Sequence, residues 1–378
     1  MLTTALLMVV LASVIIMFAC ESFDDATNHL GRAMPPGVKG ATLNAVASSL
    51  PELLTTFILL FFYRDVDGFS GGIATVAGSA VFNAIIIPCL CILAVTVWGV
   101  RQADGSRKRV PFIQVQRATI LRDGLFFIAA EVLLIVFLSD SKMAWWMGAA
   151  MMALYVVYFG VLMRQYRAGR ITPPEAHGHE PEDEDDAPVG IVRAVLTLNF
   201  HALFFRGLPV TDRRAWATLA ASTGVISLAC WGLSWAVVEI AALLGVPLYF
   251  TTVIIAAAAT SVPDTVISVK GALAGEYDDA IANALGSNIF DICVALGLPL
   301  MLYGLTFGTV DLSPDAGGSA DVQELRLVLL LVSGVLLGIF LWGERIGKKK
   351  AWLLLSLYGV WTGYVVIRGF QRHWEIAG

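Results

Sequence analysis

The chain has 378 residues, 57% of them hydrophobic and 15% charged, and a mean hydropathy of +0.76. That excludes a soluble globular domain and leaves a polytopic membrane protein. The formal net charge of -5 is an average over basic and acidic stretches and indicates no nucleic-acid partner.

Apolar runs long enough to span a bilayer, about 20 residues each, are predicted at 2–20, 38–62, 71–99, 119–138, 143–163, 216–244, 249–270, 279–307, 325–343 and 351–368. The expected fold is all-α with ten transmembrane helices. The first run lacks a basic leader and flows into further spans, so it reads as a retained helix rather than a cleaved signal. The second carries "ASSLPELLTTF" at residues 47–57, with a proline and an acid at midspan. A carboxylate at the bilayer centre costs about 2.5 to 3.5 kcal/mol on insertion scales, so Glu52 marks a functional site by default. Glu131 in the fourth run and Glu239 in the sixth are also acids within spans, and a structural or interfacial role is expected of them. Cys20, Cys89, Cys91, Cys230 and Cys293 lie in or beside apolar runs at no zinc-binding spacing, and read as small buried residues.

The loops after the third run (Arg101, Arg107, Lys108, Arg109, Arg117), the fifth (Arg164, Arg167, Arg193, Arg213, Arg214) and the ninth (Arg345, Lys348, Lys349, Lys350) are basic. The loop after the eighth carries Asp311, Asp315, Asp321 and Glu324. By the positive-inside rule the basic loops are cytoplasmic, and ten spans put both termini outside, in a plasma or inner membrane. The hydrophilic segment 164–215 divides the chain into halves 1–163 and 216–378. Its stretch "PPEAHGHEPEDEDDAP" reads as a solvated linker, with a weak regulatory cation site at His177, His179 and the neighbouring acids as the sharper alternative.

The halves repeat. "AVASSLPELLTTF" at 45–57 matches "AAATSVPDTVISV" at 257–269, and "GSAVFN" at 78–83 matches "GSNIFD" at 286–291. Two ordered blocks, with the loop between them four residues shorter in the second half, indicate internal duplication. In the expected topology the second and seventh runs cross in opposite senses, so the repeats are inverted, an architecture used by secondary transporters.

Helical spacing places Ser48, Ser49, Glu52, Thr55 and Thr56 on one stripe and Thr260, Ser261, Asp264 and Ser268 on another; Ser79 and Asn83, like Ser287 and Asp291, are four apart. Pro51 and Pro263 lack an amide hydrogen, freeing carbonyls about one turn upstream, at or near Ala47 and Ala259. Carboxylates, an amide, hydroxyls and carbonyls form an all-oxygen set suited to hard cations. Three acids together, Glu52, Asp264 and Asp291, require cation occupancy or protonation in any state that moves.

At these residues the sequence resembles the cation/calcium exchanger superfamily, whose hallmark is two inverted repeats with S-x-P-E/D on one helix and G-S-x-x-x-N/D on the next. "GSAVFN" and "SVPDTVIS" with "GSNIFDI" look most like its sodium/calcium and potassium-dependent sodium/calcium exchangers. The proton-coupled calcium exchangers tend instead to show Gly-Asn-x-x-Glu. The resemblance implies that Glu52 and Asp264 hold calcium and share sodium, and that Asn83 and Asp291 complete the central site. It further implies that Ser48, Ser49, Ser79, Thr260, Ser261 and Ser287 supply oxygens, with the Ala45 and Ala257 carbonyls at flanking sodium sites. Ala47, Ala259 and Ala80 depart from the family's commoner glycine and asparagine, and Asp291 matches exchangers with and without potassium coupling. The implied function is sodium/calcium antiport, with no enzymatic activity and no cofactor beyond the transported ions. Calcium/proton exchange on the same scaffold is the alternative. An intramembrane aspartyl protease also uses paired acids within spans, but its usual Tyr-Asp and Gly-x-Gly-Asp signatures are absent.

Overall fold

The computed structural model describes residues 1–32, 45–63, 66–102, 105–140, 142–168, 191–205, 208–311, 320–343 and 345–377. The acidic stretch with His177 and His179 lies outside them. The described chain is almost entirely helical: α1 (Leu2–Leu30), α2 (Ala45–Phe62), α3 (Val66–Val97), α4 (Arg117–Leu138), α5 (Trp145–Arg167), α6 (Ile191–Leu196), α7 (Phe200–Phe205) and α8 (Asp212–Leu244). There follow α9 (Leu248–Thr260), α10 (Val262–Ala274), α11 (Tyr277–Phe307), α12 (Ala320–Leu341) and α13 (Lys348–Ala377). Apolar sequence drives the layering. α2 and α3 are mostly buried, whereas α1, α5 and α13 turn apolar side chains such as Leu7, Val156 and Val360 outward, as helices facing lipid do.

Among the described residues seven helices are long and apolar enough to cross a membrane, and the pair α9–α10 makes an eighth when taken as one broken span. That is fewer than the ten expected. The two that fall short are α4, whose apolar run is interrupted by Arg122, Asp123 and Glu131, and α12, whose apolar part Leu330–Leu341 is short. They pack against each other, and two short strand pairings show where their ends lie. Phe112–Gln114 (β3) pairs antiparallel with Arg345–Gly347 (β6), and Lys142–Met143 (β4) pairs with Val310–Asp311 (β5); Val100–Arg101 (β1) pairs locally with Arg107–Lys108 (β2). α4 therefore runs from the β3–β6 pair to the β4–β5 pair, and α12 makes the return journey. Each has 22 residues, about 33 Å at 1.5 Å per residue.

The charges of α4 are accommodated within the protein. Arg122 Nε donates to Asp123 Oδ1 at 2.6 Å and Nη2 to Oδ2 at 2.8 Å, while Tyr158 Oη of α5 donates to Asp123 Oδ1 at 3.1 Å. Ser333 Oγ of α12 donates to Glu131 Oε1 at 2.6 Å. Asp123→Ala would strand a guanidinium whose side chain is only 14% exposed. Breaking a buried pair in this way costs about 3 to 5 kcal/mol, so the purified variant should unfold at a clearly lower temperature. Glu131→Gln retains an acceptor for Ser333 and should not; an unchanged midpoint for Asp123→Ala would remove the pair from the stability of α4.

The segment 164–215 is less uniformly loop-like than its composition suggests. α5 continues to Arg167, and α6 and α7 occupy 191–205. Phe200 is buried, Ser22 Oγ of α1 donates to the Leu198 carbonyl at 2.7 Å, and the Phe200 amide donates to Ser22 Oγ at 3.3 Å. The aromatic run "FHALFF" outweighs its polar neighbours and docks this part against the helices.

Candidate functional site

The two motif helices differ in how they meet their prolines. α2 continues as a helix through Pro51. The second motif breaks at Ser261 (φ -79°, ψ 3°), where α9 and α10 diverge by 42°. Pro263 supplies no amide hydrogen, so the Ala259 carbonyl has no helical partner there. Two π-helical turns, Thr252–Ala256 within α9 and Asp291–Leu296 within α11, interrupt the α-helical ladder nearby. Gly78 of α3 lets that helix close on α9. A Cβ at this position would collide with the Val253 carbonyl oxygen and come within 2.7 Å of the Ala257 Cβ.

This close approach brings the sequence-predicted residues of both halves together. Ser79, Asn83, Ser48, Ser49, Glu52, Thr260, Ser261, Asp264, Ser287 and Asp291 are all 0% exposed. Ser79 is the hub: its Oγ lies 2.8 Å from Ser261 Oγ, 3.3 Å from Glu52 Oε1 and 3.1 Å from Asp291 Oδ2. Asn83 Nδ2 donates to Ser79 Oγ at 3.3 Å and to Asp264 Oδ2 at 3.1 Å, and Ser287 Oγ lies 2.7 Å from Asp264 Oδ1. Ser261 Oγ is 3.4 Å from Glu52 Oε1. Ser48 interacts with Asp264, and Thr260 with Glu52.

The donor supply is short of what three carboxylates accept. A hydroxyl has one proton, so Ser79 can serve only one of Glu52, Asp291 and Ser261 at a time. Glu52 Oε2, Asp291 Oδ1 and Asn83 Oδ1 are buried with no hydrogen-bond partner among the described residues. No described Lys, Arg or His pairs with these acids. Buried polar atoms left this way are costly unless something outside the protein completes them. Oxygen of three chemical kinds fits a hard cation as cargo. No three described His, Cys, Asp or Glu side chains converge as a self-sufficient metal cluster. The hydroxyls and the amide between the acids would have to belong to any ligand set.

The flanking carbonyls are placed less centrally. Ala45 opens α2, two turns before Glu52. The Ala257 carbonyl already accepts from Thr260 Oγ1 at 3.2 Å and from the Ser261 amide at 3.1 Å. Two neighbouring groups were not singled out in the sequence. Asn288 Nδ2 donates to the Ala80 carbonyl at 3.0 Å, tying α11 to α3, and Asn283 Nδ2 donates to Ser268 Oγ at 3.0 Å. Asn288 lies inside the "GSNIFD" block, which was the available signal for it.

A family model described as sodium/calcium exchanger protein matches residues 4–164 and 214–367. Among curated proteins the chain is similar to sodium/potassium/calcium exchanger 5 of Homo sapiens, 24% identical, with 86% of this chain and 75% of that protein covered. It is 29% identical to sodium/potassium/calcium exchanger 3 of Mus musculus over 43% of this chain. That match spans only 24% of the relative's length. Of solved structures, a H+/Ca2+ exchanger, CAX, superposes with a TM-score of 0.62 at 14% identity, covering 97% of this chain and 85% of that one. The sodium-calcium exchanger NCX_Mj does so with a TM-score of 0.54 at 18% identity, covering 95% and 98%. At these identities the structural likenesses establish the fold.

Proposed function

The chain belongs to the sodium/calcium exchanger protein family, and on that premise we propose that it is a secondary antiporter exchanging sodium for calcium through one alternately exposed site. The observation that carries this is a buried cluster of three acids whose carboxylate oxygens are not all satisfied: Glu52 Oε2 and Asp291 Oδ1 have no hydrogen-bond partner among the described residues, and no described cationic residue neutralises them. Glu52, Asp264, Asn83 and Asp291 form the centre of the cation site, with Ser48, Ser49, Ser79, Thr260, Ser261 and Ser287 as further oxygens and the Ala45 and Ala257 carbonyls at its flanks.

The scaffold we infer has ten spans in two inverted halves, 1–163 and 216–378, with 164–215 between them. The equal lengths of α4 and α12 between the same two strand pairs support counting both as spans, since 33 Å is about the thickness of a bilayer's hydrocarbon core. The basic loops, including residues 101–117 and 345–350, then face the cytoplasm and both termini face outward.

Reconstituted proteoliposomes test the coupling ion. A sodium gradient at constant pH should drive calcium uptake, and a pH gradient in sodium-free buffer should not. Uptake driven by the pH gradient alone would replace sodium by protons. That second reading is favoured by the same donor shortage, because a proton on Glu52 or Asp291 would also satisfy it. Adding potassium to the sodium arm reads out whether that ion is coupled.

A further inference from the structure

On the side of the molecule where β3 pairs with β6, the end of α3, the end of α12 and the start of α13 enclose a concavity of roughly 870 Å³. Arg109, Arg345, Lys348, Lys349 and Lys350 line it, and no carboxylate does among the described residues. Their contacts among the described residues leave their charge uncompensated: Arg345 lies over the Phe112 ring at 4.8 Å, and Lys350 Nζ donates to the Trp342 carbonyl at 2.6 Å. None of the five forms an ion pair with a described acid. Five like charges on one concave surface repel, and a multivalent anion relieves them.

The remaining wall is apolar. Ile339 and Leu353 continue from the basic rim, and Trp342 is 80% exposed at the mouth, where an indole suits a membrane interface. The concavity can hold a headgroup and its glycerol, while the outward apolar face of α13, with Leu353, Val360 and Ile367 exposed, offers a track for acyl chains.

We propose that this concavity is a binding site for an anionic glycerophospholipid, whose phosphate is held by Arg109, Arg345 and the Lys348–Lys350 run. Charge complementarity selects the headgroup, and the adjoining apolar wall selects a lipid over a soluble phosphate. The site is separate from the cation cluster, so its occupancy does not depend on which ion is transported.

Native mass spectrometry of the purified full chain tests this with phosphatidylglycerol and phosphatidylcholine as probes. Wild type should retain phosphatidylglycerol at least about tenfold more strongly than phosphatidylcholine. Arg109→Gln/Lys348→Gln/Lys349→Gln should lose that preference, and Arg101→Gln/Arg107→Gln/Arg164→Gln, which removes equal charge elsewhere, should keep it. Equal loss in both variants, or none in the first, overturns the site. Displacement by millimolar inorganic phosphate overturns the lipid as occupant.

Discussion

Glu52→Gln should abolish calcium exchange in proteoliposomes while leaving the protein folded in the membrane. Glutamine preserves the side chain's size and can still accept from Ser79 and Ser261, whose hydroxyls lie 3.3 and 3.4 Å from Glu52 Oε1. What it removes is the charge, together with the unpartnered Oε2. Losing one charged partner from a buried cluster, at roughly 3 kcal/mol, is about a hundredfold in affinity. Asp264→Asn should do the same from the other half, because its carboxylate stands between Asn83 Nδ2 and Ser287 Oγ. Glu131→Gln is the control: that acid is buried too, but its partner is Ser333 at the α4–α12 contact, and its flux should stay near wild type. Calcium flux in Glu52→Gln comparable to wild type would refute the site assignment.

Gly78→Ala should be nearly as damaging without touching any oxygen ligand. The added methyl meets the Val253 carbonyl oxygen and the Ala257 Cβ, neither of them the far end of a flexible side chain, so α3 and α9 have to separate. Overpacking of this kind costs about 1 to 3 kcal/mol. The neighbouring Ser79 moves with α3 and loses its 2.8 Å contact to Ser261. Both the thermal midpoint and calcium flux should fall. Gly160→Ala adds its methyl where no atom lies within 4 Å and should leave both unchanged. Normal flux in Gly78→Ala would mean that the close approach of α3 and α9 is not needed for transport.

The centre of this site was legible because its residues carry their meaning locally. A proline next to an acid at midspan, twice, with hydroxyls at helical spacing, already places Glu52, Asp264, Ser79, Asn83, Ser261, Ser287 and Asp291 among the candidates, and all seven join one hydrogen-bonded network. The duplication places the same amide-lacking proline at 51 and 263, with carbonyls freed upstream of each, yet only the second helix breaks. A proline removes one hydrogen bond in either place, and packing against neighbours decides whether the helix bends. Asp123 was invisible for a different reason. Beside Arg122 it looks like an ordinary pair of polar residues at a span's edge, and only Tyr158, 35 positions away, shows it to be a buried anchor. The docking of α7 depended on Ser22 and Phe200, which are nowhere near each other in sequence.

The π turns have a consequence for how these helices are phased. Each is one residue longer than the α turn it replaces, so everything downstream is rotated by about 100° relative to an uninterrupted helix. In α11 the turn begins at Asp291, directly after the face that carries Ser287. Gly297 follows it, where a Cβ would lie 3.1 Å from the Gly148 carbonyl of α5. The single extra residue works as an angular offset, letting one continuous helix aim its acid at α3 and its glycine at α5. Removing one residue between 291 and 296 would leave the composition of both faces intact while turning one of them away from its target, a coupling that no inventory of ligands reveals.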